Sequence, residues 1–130
     1  MCGIAGRIGL GATKTNVQKM SEAIAHRGPD AYDIWLNDGV ALAHQRLAII
    51  DIAGGKQPMK SASGRWILIF NGEIYNFRAL KTGLLREYPY KTQSDTEVIL
   101  AALELWGDDA LSRLEGMFAI AAWDIQEQRL

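Results

Sequence analysis

Strand-like and helix-like runs fall in clusters along this 130-residue chain, joined by hairpin signals, and do not alternate as regular strand–helix units. Clustering of that kind favours antiparallel sheets, an α+β architecture, over a doubly wound parallel sheet. The opening segment, 2–10, sets Cys2, Ile4, Gly6, Ile8 and Leu10 at every second position, which predicts a strand with one buried face. Val17, Met20, Ala23 and Ile24 follow at helical spacing, with Thr13 or Thr15 as front cap and Gly28-Pro29 as the stop. Runs 32–36 and 40–46 flank Asn37-Asp38-Gly39, a hairpin signal. Two adjacent glycines and Pro58 make 53–64 an ordered loop. Residues 66–70 read as a continuous apolar strand, and Asn71-Gly72 after it reads first as a plain hairpin turn.

Further on, Asn76 is placed to cap a helix carrying Phe77, Leu80 and Leu84. Ser94-Asp95-Thr96-Glu97 has the form of a capping box in front of Val98, Ile99, Ala102, Leu105 and Trp106, with Gly107 as the end. A short helix at 110–114, a strand at 117–123 and a turn at 126–128 complete the reading. The chain stops at Leu130, where the second strand of a hairpin should begin, so residues 1–130 are expected to be the N-terminal part of a longer domain.

Composition serves mainly to exclude. Hydrophobic residues at 48% and charged residues at 22% suit a globular domain, and no run approaches the ~18 apolar residues of a membrane span. A net charge of -1 without a basic stripe gives no footprint for nucleic acid. The N-terminus carries no basic and apolar signal regions, and the expected compartment is the cytosol. One cysteine rules out an intramolecular disulfide. Cys2, His26 and His44 lack the paired spacings of zinc sites, so no metal is expected.

Four places carry chemistry. Removal of Met1 would leave Cys2 with a free α-amine; such amines titrate near ~7.7–8.0 and thiols near ~8.5, values that suit proton transfer from the thiol to the residue's own amine. The Asn71 amide and the Gly72 N–H, at the end of a buried strand, suit an oxyanion site for a tetrahedral acyl intermediate. Arg46 shares a strand face with His44 and suits a bidentate grip on a carboxylate. Asp95, in the first turn of its helix, is available to a cation such as a substrate ammonium.

These pieces stand in a recognisable order: Cys2-Gly3-Ile4-Ala5-Gly6, Arg27-Gly28-Pro29-Asp30, His44 to Asp51, Gln57-Pro58-Met59, Phe70 to Asn76, Ser94 to Glu97 and Gly116-Met117-Phe118. In that order they resemble class II glutamine amidotransferases, and most of all the glutaminase domain of glutamine-hydrolysing asparagine synthetases. The resemblance runs from residue 2 to about residue 124. Segment 81–92 departs most from the pattern and holds no proposed site residue.

The resemblance implies the four-layer αββα sandwich of N-terminal-nucleophile hydrolases, incomplete here at its C-terminus. It implies Cys2 as nucleophile, with Asn71 and Gly72 as the oxyanion hole. Arg46 would hold the α-carboxylate of glutamine, Glu73 and Asp95 its amino group, and backbone near Ile49 and Ile50 would help position it. Residues 27–30 resemble a loop near the active site, with no catalytic step assigned. The implied partner is the enzyme's own C-terminal synthetase domain, which would use ATP and Mg2+ and receive ammonia; no cofactor is expected in this segment. A homodimer is left open. The alternatives are another class II amidotransferase, with a sugar-phosphate or phosphoribosyl acceptor, and a catalytically silent binding or assembly domain.

Overall fold

Strand β3 (Val40–Arg46) is buried along its whole length, so both of its faces need cover. Its side chains alternate accordingly. Val40 and Leu42 face a second sheet, packing with Ile67, Ile69 and Trp123. Ala41 and Ala43 face the other way, where their small side chains let Val17 of helix α1 (Lys14–Ala23) approach closely. The computed structural model that shows this describes residues 2–48 and 54–130.

The first sheet has the order β1-β3-β2, with β1 (Gly3–Ile8) and β2 (Ala31–Asn37) antiparallel to β3 on either side. The second has the order β4-β5-β6, built from β4 (Met59–Lys60), β5 (Trp66–Ile74) and β6 (Gly116–Asp124), again antiparallel. Trp66, Leu68, Phe70 and Ile74 of β5 point away from the first sheet into the largest core. There they meet helix α3 (Asp95–Trp106) and Leu80 of helix α2 (Phe77–Thr82). The layers therefore run α1, sheet, sheet, α2 with α3: an α+β, four-layer αββα sandwich. Each fully buried side chain at the inter-sheet seam, such as Leu42 or Ile67, contributes roughly 1.5–3 kcal/mol. Asp124, wholly buried, accepts a bidentate bond from Arg65 (2.6 Å at the shorter contact) and fastens the start of β5 to the end of β6.

Several local expectations are corrected. The Asn71-Gly72 turn does not exist: β5 continues through it, pairing Asn71 with Ala119 and Gly72 with Phe118. Long-range pairing outweighs the local turn signal there. The first strand stops at Ile8, leaving Leu10 fully exposed beyond Gly9. Helix α1 ends at Ala23 and a 3₁₀ turn, Ala25–Arg27, carries the chain to Gly28. Thr13 is the cap, its hydroxyl accepting from Asn16 N–H. Asn76 does not cap α2; its side chain joins the Arg113 carbonyl and the Glu115 N–H. The expected 110–114 helix is a 3₁₀ segment, Gly107–Arg113.

Candidate active site

Pairing of Gly3 with Gln45 brings the chain's start beside the end of β3. The Cys2 Sγ lies 3.4 Å from Leu47 N and 3.6 Å from Leu47 O, within reach of both backbone groups. Arg27 Nε donates to the Cys2 carbonyl at 3.0 Å. The adjoining Gly28 admits no side chain, because a Cβ there would stand 2.3 Å from the Gln45 carbonyl carbon. Asp30 Oδ2 accepts from Ala48 N–H at 2.8 Å, and Asp30 N–H donates to the Arg46 carbonyl. Segment 27–30 thus braces both the Cys2 peptide and the end of β3.

The edge of β5 supplies the opposite wall. Tyr75 N–H bonds the Glu115 carbonyl, which shows that odd-numbered residues here turn their backbone groups toward β6. Even-numbered residues turn theirs to the other edge. On that edge Phe70 N–H donates to Gln57 Oε1 (2.7 Å), His44 Nε2 donates to the Phe70 carbonyl (3.1 Å), and Ile74 N–H donates to Asp95 Oδ2 (3.1 Å). The Gly72 N–H, between Phe70 and Ile74, turns to the same edge by the same alternation. Gly72 has a φ of 154°, and an added Cβ would stand 2.1 Å from the Met117 carbonyl oxygen. Asn71 Oδ1 is buried without a hydrogen-bond partner among the described residues.

Helix α3 begins at the third wall. Ser94 Oγ accepts from Thr96 N–H at 3.1 Å, so Ser94 caps the helix, through the second helical N–H and not the third that a capping box uses. The reciprocal bond from Glu97 does not form. Glu97 instead accepts from Lys91 N–H (2.9 Å), Thr92 N–H (2.7 Å) and Thr92 Oγ1 (2.7 Å), pinning the loop that enters the helix. Asp95 is not left free in the first turn as expected: it is 5% exposed and already holds Ile74. Burial raises its carboxyl above the ordinary carboxylate range, opposed by the N–H groups of Ile74, Thr96 and Asp95 itself and reinforced by the charge of Glu73. Burial also lowers His44, to about 4, with the bond to Phe70 opposing and the charge of Arg46 adding. His44 is therefore neutral at pH 7.

These three walls enclose one open cavity of about 130 Å3. Cys2, Arg46, Asn71, Gly72, Glu73 and Asp95 all line it, so six of the eight expected site residues converge. The other two, Ile49 and Ile50, lie outside the described residues. The volume is well below the ~300–1,000 Å3 of drug-sized pockets, so a small ligand fits. Its lining includes a thiol, one guanidinium and two carboxyl groups. Gln57, Thr96 and Met117 also line it, and sequence reasoning gave them no part. Gln57 lay within a quoted motif, but nothing local signals that its amide is buried against two other elements. Among the described residues, no three His, Cys, Asp or Glu side chains are grouped to hold a metal ion. No helix among them is long and apolar enough to cross a membrane.

A family model described as a glutamine amidotransferase domain matches residues 1–130. The chain is 37% identical over 131 residues to asparagine synthetase [glutamine-hydrolyzing] 3 of Bacillus subtilis, covering 95% of this chain and 21% of that protein. It is 38% identical to asparagine synthetase B [glutamine-hydrolyzing] of Escherichia coli, covering 98% and 24% respectively. Asparagine synthetase [glutamine-hydrolyzing] 2 of rice, Oryza sativa subsp. japonica, is 36% identical, with 98% and 22% covered. The chain thus spans under a quarter of the length of these relatives. With its motifs, fold and family match in agreement, the chain belongs to the glutamine amidotransferase domain family.

Proposed function

We propose that this domain hydrolyses the side-chain amide of glutamine, and that it supplies ammonia to an asparagine synthetase-type amidation. The observation that carries the reading is one cavity that collects a thiol, a guanidinium and two acidic groups beside the Asn71–Gly72 stretch of β5. Glutamine is a zwitterion with an amide at its far end. Arg46 takes the α-carboxylate, and Glu73 with Asp95 takes the ammonium.

After Met1 is removed, the Cys2 thiol passes its proton to the residue's own amine, and the thiolate attacks the amide carbon. The oxyanion rests on the Asn71 side-chain amide and the Gly72 N–H. The proton returns to the leaving nitrogen and ammonia departs, leaving a thioester. Water, giving a proton to the same amine, cleaves the thioester; glutamate leaves and the thiol is restored. In this proposal ATP and Mg2+ belong to a C-terminal synthetase domain with the acceptor, and no described residue is assigned to them.

Intact mass should show Met1 absent, and a diazo-ketone analogue of glutamine should add to Cys2. Cys2→Ala should abolish glutamate release by a folded domain; measurable glutaminase activity in that variant refutes Cys2 as nucleophile. The full-length protein should form asparagine from aspartate, ATP and either glutamine or ammonia. Its Cys2→Ala form should accept ammonia only. Amidation of a sugar phosphate or a phosphoribosyl substrate instead would reassign the acceptor.

A further inference from the structure

Strand β4 ends too early to cover the site. It pairs Met59 with Leu68 and Lys60 with Ile67, and that register, carried two residues further, sets Gln57 opposite Phe70. Gln57 meets β5 there through its side chain and not through its backbone. Its Oε1 accepts from Phe70 N–H at 2.7 Å, and its Nε2 donates to Thr96 Oγ1 at 3.2 Å. The residue is 8% exposed, Phe70 3% and Thr96 2%, so neither bond has ready competition from water. One buried amide therefore ties the middle of β5 to the start of α3. Asn71 and Gly72 follow directly on one side of that tie, and Asp95 precedes it on the other.

We propose that Gln57 is a positioning residue, setting the Asn71–Gly72 oxyanion pair relative to Asp95 by holding Phe70 N–H with one arm and Thr96 Oγ1 with the other. The inference rests on the glutaminase reading above. Gln57 forms no bond in the reaction. Without it, the Phe70 N–H is a buried donor with no acceptor, and the strand must shift to find one. Gly72 lies two residues on, so its N–H shifts with the strand. A displacement of about 1 Å at such a donor is worth about 100-fold in rate. Substrate grip by Arg46, on another strand, changes less.

The test compares two reactions at Cys2 in the full chain. Iodoacetamide needs the thiol but no oxyanion donor; glutamine hydrolysis needs both. In Gln57→Leu, kcat for glutamate release should fall by about 10–100-fold, with a smaller rise in KM and alkylation by iodoacetamide within about twofold of wild type. A kcat within about twofold of wild type would overturn the inference. So would parallel loss of alkylation and kcat, since that marks general collapse of the site. If Gln57→Leu does not fold, Thr96→Val removes only the hydroxyl that Nε2 reaches and should lower kcat by about three- to tenfold; undiminished kcat there overturns the tie. Absence of glutamate release by the wild-type domain, with Cys2 still alkylated, would sink the glutaminase reading itself.

Discussion

Asp95 is a carboxyl group whose surroundings oppose its ionisation. At 5% exposure and near Glu73 it is costly to ionise, and the N–H groups of Ile74, Thr96 and Asp95 itself offset part of that cost. A bound ammonium would add a countercharge. Asp95→Asn keeps an acceptor for Ile74 N–H and removes the charge. We expect KM for glutamine to rise about 10- to 100-fold, with thermal stability equal to or above wild type. A stability loss with unchanged KM would show that the carboxylate serves the fold alone. His44 works in the opposite sense. Its folded pKa, about 4, lies below the ordinary value of 6.5, so between those two pH values the unfolded chain binds the proton and the native chain does not. Its contribution to stability is full above pH 6.5 and is lost as pH falls toward 4, to the extent of roughly 2–4 kcal/mol. Urea titrations at pH 7.0 and 4.5 should show a smaller difference between the two pH values for His44→Gln than for wild type.

At the scale of elements, the alternation of β3 was open to sequence reading because its two faces differ in residue size. Ala41 and Ala43 answer a helix, and Val40 and Leu42 answer a sheet. Asn71-Gly72 was not open to it. A turn and a strand edge use the same dipeptide, and the difference lies in β6, some 47 residues away. The capping box failed for a similar reason: the backbone donors of Lys91 and Thr92 take the Glu97 carboxylate that a local reading assigns to Ser94. Gly72 lets the element level be probed directly. A methyl group there meets the Met117 carbonyl, so β5 and β6 must part. Gly72→Ala is expected to destabilise the domain by about 1–3 kcal/mol in chemical unfolding, beyond any effect on activity. Full stability in that variant would mean that the strands yield easily.

For the whole molecule, linked motifs named in advance six residues that line the cavity, while their convergence was not legible. Cys2, Arg46, Asn71 and Asp95 lie on four different elements or their ends, and only the stacking of two sheets and a helix brings them to one cavity. No periodicity within a window of residues encodes that stacking. The same fact gives the thiol a second use. The Cys2 Sγ contact with Leu47 joins positions 45 residues apart, and the cavity is finished only when α3 has docked on β5. Refolding should therefore pass through a stage in which Cys2 reacts with iodoacetamide as in the denatured chain but ignores the glutamine-like diazo-ketone. Quenched-flow labelling with the two reagents would time that stage, and appearance of both reactivities in a single phase would show that the layers assemble together. Long-range pairings of this kind form slowly. The thiol at the head of the chain would then be the last group to gain its folded reactivity, a clock for the completion of its own scaffold.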